Sequence, residues 1–344
     1  MYFIGVDHHK QWSVMTVLDE AGREMKSGRV DNRREAVRRF IDGCEPFTAV
    51  IEAGYSSYVM ADLLKEIGGG VKIANPAEVK AIAHARIKTD KRDSRTLARL
   101  LRSGDIPEVT QRTAANRGAQ RVMRLRAFRV AKRTELKNKI RALLAQQREE
   151  IRLEVERREE GMFSGKGLEF LDSLTLPQPD QMILDDLLGS YRESQEHLRK
   201  TDGIVEKLYE ELEEAQRIDT VPGFATTLSV LVAVEIGDID RFDSTSHLHS
   251  YAGVIPTTHA SGGRTYHGHI TKAGNVWLRW AALEAVIPAT RASLEIRGLY
   301  SRLARRKGPN VAKVAVARRL LTIIYRLLKE KRSYIQKMTT SSAA

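Results

Sequence analysis

Two short apolar runs, YFIGVD at 2–7 and FTAVIEA at 47–53, each carry a carboxylate at or beside their C-terminal end and show no helical periodicity. Runs of this length, rich in β-branched and aromatic residues and bounded by turn signals such as Pro46 and Gly54, predict buried strands. A strand that is apolar along its length must be covered on both faces, so helices have to pack above and below the sheet. If the two strands pair, Asp7 and Glu52 emerge side by side at the sheet's rim.

The first thirty residues predict three strands, YFIGVD, WSVMTVLD and EMKSGRV, joined by HHKQ and the turn-like EAGR as an antiparallel meander. A helix over 33–42 follows, then the FTAVIEA strand, a helix near 57–67, the Gly68-Gly69-Gly70 break and a strand VKIAN. Asn75-Pro76 then opens another helix, with proline at its first position. Antiparallel strands followed by strands alternating with helices predict a mixed α/β sheet.

From about 114 to 217 the pattern changes to long helices, with Leu136, Ile140, Leu143, Gln147 and Ile151 spaced by threes and fours. FSGKG and LTLPQPD interrupt them, as a helical hairpin requires. The last third places Pro-Gly between helical segments in TVPGFATTLSVLVAVEIG (220–237) and ends in a basic amphipathic helix near 310–333. Three regions are expected: an α/β domain over 1–112, a helical or coiled-coil connector over 113–217, and a small, mainly helical domain over 218–344.

Charge narrows the partner. The chain of 344 residues has 57 Lys and Arg against 44 Asp and Glu, a net charge of +13 that suits a polyanion. Residues 112–141 hold eleven basic side chains and one acid, whereas 179–219 reverse the balance with twelve acids and five bases. From Arg264 to Arg332 there are sixteen Lys and Arg and three Glu. Within the central basic segment Arg121, Arg124, Arg129, Lys132 and Arg133 are candidate contacts to a nucleic-acid backbone. Phe128 is the segment's one aromatic residue, so base stacking there is not the main expectation. No run approaches eighteen apolar residues and the N-terminus has no leader pattern, which argues against membrane spanning and secretion. A lone cysteine, Cys44, fits a small core hydrophobe in a reducing cytoplasm.

The carboxylates narrow the chemistry. Asp90 and Asp93, in KTDKRDSRTLARLL, share one helix face through their spacing of three. Bringing them to Asp7 and Glu52 gathers four like charges, which is costly unless hard divalent cations neutralise them. Two Mg²⁺ ions held this way stabilise both the attacking and the leaving oxygen of an in-line phosphoryl displacement. This is the arrangement that an RNase H-like nuclease fold requires.

A second constellation lies in HSYAGVIPTTHASGGRTYHGHITKAGNVWLR (249–279), a Gly-, hydroxyl- and base-rich stretch without apolar periodicity until Trp277-Leu278, expected to be a loop. Ser261, followed by Gly262, Gly263 and Arg264, offers a hydroxyl on a backbone whose N–H groups can cradle a phosphate. Lys272 is a further phosphate contact. Thr257, Thr258 and Ser250 are weaker nucleophile candidates, and position 260 is Ala. Serine needs activation, which His259, His267 or His269 would have to supply if they are more than solvated loop histidines.

GVDHHK, VIEAGYSS and KTDKRDSRTLARLL together resemble the N-terminal RuvC-like domain of the DEDD-type insertion-sequence transposases. The order YAG, P, SGGR and G-x-ITK-x-GN-x-x-LR resembles the C-terminal serine domain of the same family. The resemblance, over roughly 1–110 and 215–300, implies a DNA transposase or recombinase whose metal-binding acids are Asp7, Glu52, Asp90 and Asp93. It implies Ser261 as a nucleophile forming a covalent phosphoserine link to donor and target DNA. It also implies a structured noncoding bridge RNA as guide, and homo-oligomers, dimers that become a tetramer on DNA. His8 and His9 stand where small or aliphatic residues are expected and read as surface-packing or turn histidines. TVPGFATTLSVLVAVEIG resembles a helix-hairpin-helix, with Ala225 in place of its second glycine. Two other functions remain open on these residues: a RuvC-like nuclease using metal and water, and a non-catalytic DNA- or RNA-binding protein.

Overall fold

The structure, a computed structural model, describes residues 1–83, 89–261 and 264–334, with the side chains of 83, 159, 258–261 and 264–267 excepted. It divides into two compact units, Met1–Arg112 and Thr113–Ala344.

In the first unit the chain runs β1 (Tyr2–His8), β2 (Trp12–Leu18), β3 (Glu24–Asp31), α1 (Arg34–Ile41), β4 (Phe47–Glu52), α2 (Ser57–Glu66), β5 (Gly70–Ala74), α3 (Pro76–Ala83) and α4 (Asp90–Ser103). The five strands form one sheet in the order β3-β2-β1-β4-β5. The meander β1-β2-β3 is antiparallel, and β4 and β5 add in parallel beside β1. This mixed sheet with helices on both faces is the α/β arrangement expected of an RNase H-like domain.

Side-chain alternation sorts the two faces. Ile4, Val6, Met15, Val17, Ala49 and Ile51 pack with Val37 and Ile41 of α1 and with Met60, Ala61 and Leu64 of α2, and Cys44 is buried among them. On the opposite face Val50 packs with Leu97 and Leu101 of α4. Gly5 and Asp7 share that second face with Val50, because Gly5 and Val50 are register partners and faces alternate every residue.

Gly5 is what allows α4 to lie there. A Cβ at this position would stand 1.9 Å from the carbonyl oxygen of Ser94 and 2.5 Å from the amide nitrogen of Ala98, so helix backbone rests directly on strand backbone. The buried Ser94 and Thr16 hydroxyls lock the contact at 2.8 Å. Thr89 caps the helix by accepting from the Arg92 amide, and Gly104 ends it in the left-handed conformation (φ 82°). Asp90 and Asp93 fall in its first turn, where the helix dipole favours negative charge.

The second unit contains α5 (Ala114–Leu144), α6 (Glu149–Arg157), α7 (Gly165–Ser173), α8 (Asp180–Glu211), α9 (Glu213–Asp219), α10 (Thr226–Ile236) and α11 (Thr245–Tyr251). It continues through β6 (Pro256–Ser261), β7 (Arg264–Ile270), α12 (Val276–Glu284), α13 (Val286–Ala292), α14 (Leu294–Lys307) and α15 (Pro309–Lys329). α5 and α8 run antiparallel: Arg126 bonds Asp202, Arg133 bonds Gln195 and, just past the end of α5, Gln147 bonds Asp180, partners that descend in number as the chain ascends. Ile140, Leu144, Met162, Leu171, Leu184, Leu188 and Tyr191 seal one end of this pair. At the other end α10, α12 and α15 build the larger core, in which α10 is buried on all sides from Ser229 to Ile236.

The segment expected to be a loop is in part an antiparallel hairpin, β6 with β7, in which Ser261 pairs with Arg264. Thr257, Thr258, Thr265 and Ile270 supply the β-branched residues that favour strands, but the pattern carries no apolar alternation by which to recognise them. No helix among the described residues is long and apolar enough to cross a membrane.

The Gly5 contact yields a test. Gly5→Ala is expected to cost about 1–3 kcal/mol or more through overpacking, read as a lower urea midpoint for the first unit. A midpoint equal to wild type would contradict direct backbone-on-backbone packing.

Candidate metal centre and serine hairpin

Asp7 near the end of β1 and Asp90 in the first turn of α4 are 83 positions apart in sequence and meet because Gly5 lets the helix down onto the strand. His9, two residues beyond Asp7, joins them: its Nε2 lies 3.4 Å from an Asp7 oxygen and 3.5 Å from an Asp90 oxygen. One ligand atom from each of the three lies within 4.8 Å of the others. Glu52 ends β4, and its neighbour Ile51 pairs with Val6, so Glu52 and Asp7 occupy corresponding strand ends. Glu52 and Asp93 are nevertheless not members of the 4.8 Å group. Of the four sequence-assigned acids, two are therefore gathered, Glu52 adjoins them by register, and Asp93 lies one turn along α4 from Asp90.

His9, read from the sequence as a surface-packing or turn histidine, is packed and also faces the two acids. Its ring packs on Trp12 with centroids 4.1 Å apart, and the Arg29 guanidinium covers the same indole at 4.3 Å. Its amide donates to the Trp12 carbonyl at 3.0 Å, and its own carbonyl accepts from the Asn32 side chain at 2.7 Å. Nε2 itself is buried, and no hydrogen-bond partner reaches it among the described residues.

His8 belongs to a network that meets this site through Asn32. Ser13 Oγ donates to Asn32 Oδ1 at 2.7 Å, so the 3.0 Å contact from His8 Nδ1 to the same Oγ has the imidazole as donor. On the other side His8 Nε2 meets Ser56 Oγ at 3.0 Å. Burial, and then the nearby charge of His9, hold the His8 imidazole below its ordinary pKa, which suits a neutral ring in this chain of bonds. His8, Ser13, Asn32 and Ser56 thus tie the ends of β1, β2 and β3 to the turn after β4.

A divalent ion is compatible with these donors. Two converging carboxylates and a third adjoining them meet the buried Nε2 of His9, which has no hydrogen-bond partner among the described residues. Hard oxygens from Asp7, Asp90 and Glu52 are the ligands such ions take.

In the second unit the motif around Ser261 proves to be a clamp. Gly253 (φ 65°) leaves no room for a Cβ, which would stand 2.5 Å from the Ala273 carbonyl oxygen. Gly274 (φ 119°) does the same against the Tyr251 carbonyl, at 2.4 Å. Asn275 caps α12 by accepting from the Leu278 amide, and its side-chain nitrogen donates to Glu235 at 2.7 Å and to the Tyr251 hydroxyl at 3.1 Å. Arg279 donates to the carbonyls of Ala252 and Lys272, closing the hairpin's base. YAG, GN and LR therefore hold the two ends of β6-β7 together. Ser261 ends β6 at the other end of the ladder. Its side chain, those of His259, His267 and Arg264, and both Gly262 and Gly263 lie outside the described residues.

Glu235 is a functional-region residue that sequence reading passed over. It is 0% exposed, takes Gln120 of α5 at 2.9 Å as well as Asn275, and faces the Arg124 guanidinium at 3.5 Å. The apolar surroundings in LVAVEI conceal it; an acid inside an otherwise apolar helix was the available signal.

The basic candidates of α5 divide. Arg129 bonds the His197 carbonyl and Thr201, Arg133 bonds Gln195, and Lys132 pairs with Glu135. These groups hold α8 or their own helix, whereas Arg121 is exposed and Arg124 reaches Glu235 with about half its side chain in solvent. Lys272 is exposed and sits in the left-handed region (φ 52°). It helps line a groove of ≈ 780 Å³ beside β7, together with His269, Lys307 and Arg318.

Comparison with known proteins agrees with this architecture. Residues 4–148 match the DEDD transposase family model of IS110, and residues 215–301 match the transposase model of the IS116/IS110/IS902 family. The chain belongs to this family of insertion-element transposases. It is 27% identical to a "Probable family 20 transposase" of Pseudomonas aeruginosa, over 96% of this chain and 98% of that one. It is 24% identical to the "Transposase for insertion sequence element IS1111A" of Coxiella burnetii, over 96% and 90% of the two chains. The "Transposase for insertion sequence element IS1328" of Yersinia enterocolitica is 23% identical over 80% of each chain.

Glu235→Ala tests the clamp. It leaves the buried amides of Gln120 and Asn275 without their acceptor, at about 1–3 kcal/mol each. Calorimetric unfolding is expected to show a lower transition for the second unit with the first unit unmoved; an unchanged transition would count against the network.

Proposed function

We propose that this transposase cuts and rejoins DNA by serine chemistry assisted by divalent metal, with Asp7, Glu52, Asp90 and Asp93 as the metal-holding acids and Ser261 as the nucleophile. The convergence of Asp7 and Asp90 at the end of β1 is the observation that supports it best. When bound, the metal, Mg²⁺ in a two-ion arrangement for an all-oxygen set, supplies charge neutralisation at the phosphate and lowers the cost of the leaving oxygen.

Ser261 Oγ attacks the scissile phosphorus, its proton passes to a base or to solvent, and the bond from phosphorus to the leaving sugar oxygen breaks. The strand is then held as a phosphoserine ester. A sugar hydroxyl of the new partner strand attacks that ester, and Ser261 is released with its proton restored.

The family resemblance extends the proposal to a structured noncoding RNA that selects donor and target DNA, and to homo-oligomers, dimers assembling as a tetramer on DNA. Lys272 and the groove beside β7 support backbone contacts, as does Arg121. Arg129, Lys132 and Arg133, already engaged within the unit, support them less.

Denaturing gels with a labelled DNA substrate test the reading. Wild type is expected to form a covalent protein–DNA adduct that Ser261→Ala abolishes, and Asp7→Asn is expected to reduce cleavage to background. Hydrolysis persisting in Ser261→Ala would instead favour attack by metal-activated water.

A further inference from the structure

We propose that His9 is a metal ligand, making this centre a mixed nitrogen–oxygen site that takes a first-row transition ion of the Mn²⁺, Co²⁺ or Zn²⁺ class in preference to Mg²⁺. The inference rests on the reading above that these acids hold a divalent metal, and replaces its all-oxygen Mg²⁺ set by one with a nitrogen donor and a different preferred ion.

The geometry is that of shared coordination. The separations of His9 Nε2 from the Asp7 and Asp90 oxygens, 3.4 and 3.5 Å, are longer than a good hydrogen bond, about 2.7–3.2 Å. Two donors bonded to one ion at about 2.1 Å lie roughly 3.0–3.4 Å apart, which is close to these distances. An imidazole that only neutralised the two carboxylates would turn Nε2 to hydrogen-bond one of them. Here Nε2 is buried, faces both, and bonds neither.

The ring is also held as a ligand has to be. Trp12 supports one side of it, and the backbone on either side of its Cα is fixed by the Trp12 carbonyl and the Asn32 side chain. Asn32 is fixed in turn by Ser13, so the turn carrying His9 is tied to three strands. Such outer contacts keep a ligand's cost of ordering low when the ion arrives.

A nitrogen donor changes which ion the site prefers. Mg²⁺ takes oxygen ligands almost exclusively, whereas imidazole binds Co²⁺ and Zn²⁺ well, and affinities rise from Mn²⁺ towards Cu²⁺ along the first row. The two carboxylates serve either class. His9 is therefore the residue that discriminates.

Calorimetric titration of the full chain with Co²⁺ and with Mg²⁺, alongside the visible spectrum of the Co²⁺ form, tests the assignment without recourse to activity. Wild type is expected to bind Co²⁺ more tightly than Mg²⁺ at a site that Asp7→Asn removes. His9→Ala and the size-conserving His9→Gln, both checked for folding by circular dichroism, are expected to weaken Co²⁺ roughly 10- to 100-fold, shift its absorption bands and leave Mg²⁺ affinity within about twofold. If Asp7→Asn abolishes binding while both His9 variants match wild type for both ions, His9 is not a ligand and the carboxylate site stands. If wild type binds neither ion in a manner that Asp7→Asn removes, the carboxylate reading itself fails.

Discussion

The contact between the backbone of α4 and the backbone of β1 is the constraint on which the N-terminal unit depends. A helix normally stands off a sheet by the depth of two side chains, and at Gly5 one of those layers is missing. The gain is positional: the first turn of α4, with its two acids and the positive end of its dipole, is delivered to the strand end that carries Asp7 and His9. Burying the small Ser94, Thr16 and Ala98 instead of large apolar groups sacrifices hydrophobic area for this precision. The remaining face compensates, since α1 and α2 bury an extensive aliphatic layer on the other side of the same strands.

The C-terminal unit solves a related problem with different means. A two-stranded hairpin has too little core to hold its own shape, so its ends are fixed from below. Gly253 and Gly274 interleave the turn after α11 with the turn before α12, Asn275 and Arg279 bridge them, and the buried Glu235 links them to α5. Burying an unshared carboxylate would be costly, and two amide donors, Gln120 of α5 and Asn275 before α12, with the Arg124 guanidinium of α5 at 3.5 Å, are what make Glu235 tolerable there.

Much of the N-terminal fold was legible in the residues, because strands buried on both faces must be apolar throughout and their ends must be marked by Gly, Pro or a charge. Asp7 at a strand end was legible too, whereas its grouping with Asp90 came from the four-acid arrangement of an RNase H-like fold and the family resemblance, not from the residues' spacing. His9 was not, since a histidine between a strand and a turn looks the same in sequence whether it faces solvent or two carboxylates. The hairpin was hidden because its residues have no apolar alternation, and the Gly-rich signature read as a loop in fact marks the tight turns of its clamp. Charge counting along α5 could not show what lies opposite each residue: Arg126, Arg129 and Arg133 bond groups of α8.

Divalent-ion binding at the end of β1 decides whether Asp7 and Asp90 work as a metal centre. An anomalous difference map from crystals grown with Mn²⁺ measures this directly. The expected result is a peak within bonding distance of the Asp7 and Asp90 carboxylates, and of His9 Nε2 if the nitrogen ligand is real. Clear density for these side chains at saturating Mn²⁺ with no peak between them would contradict it.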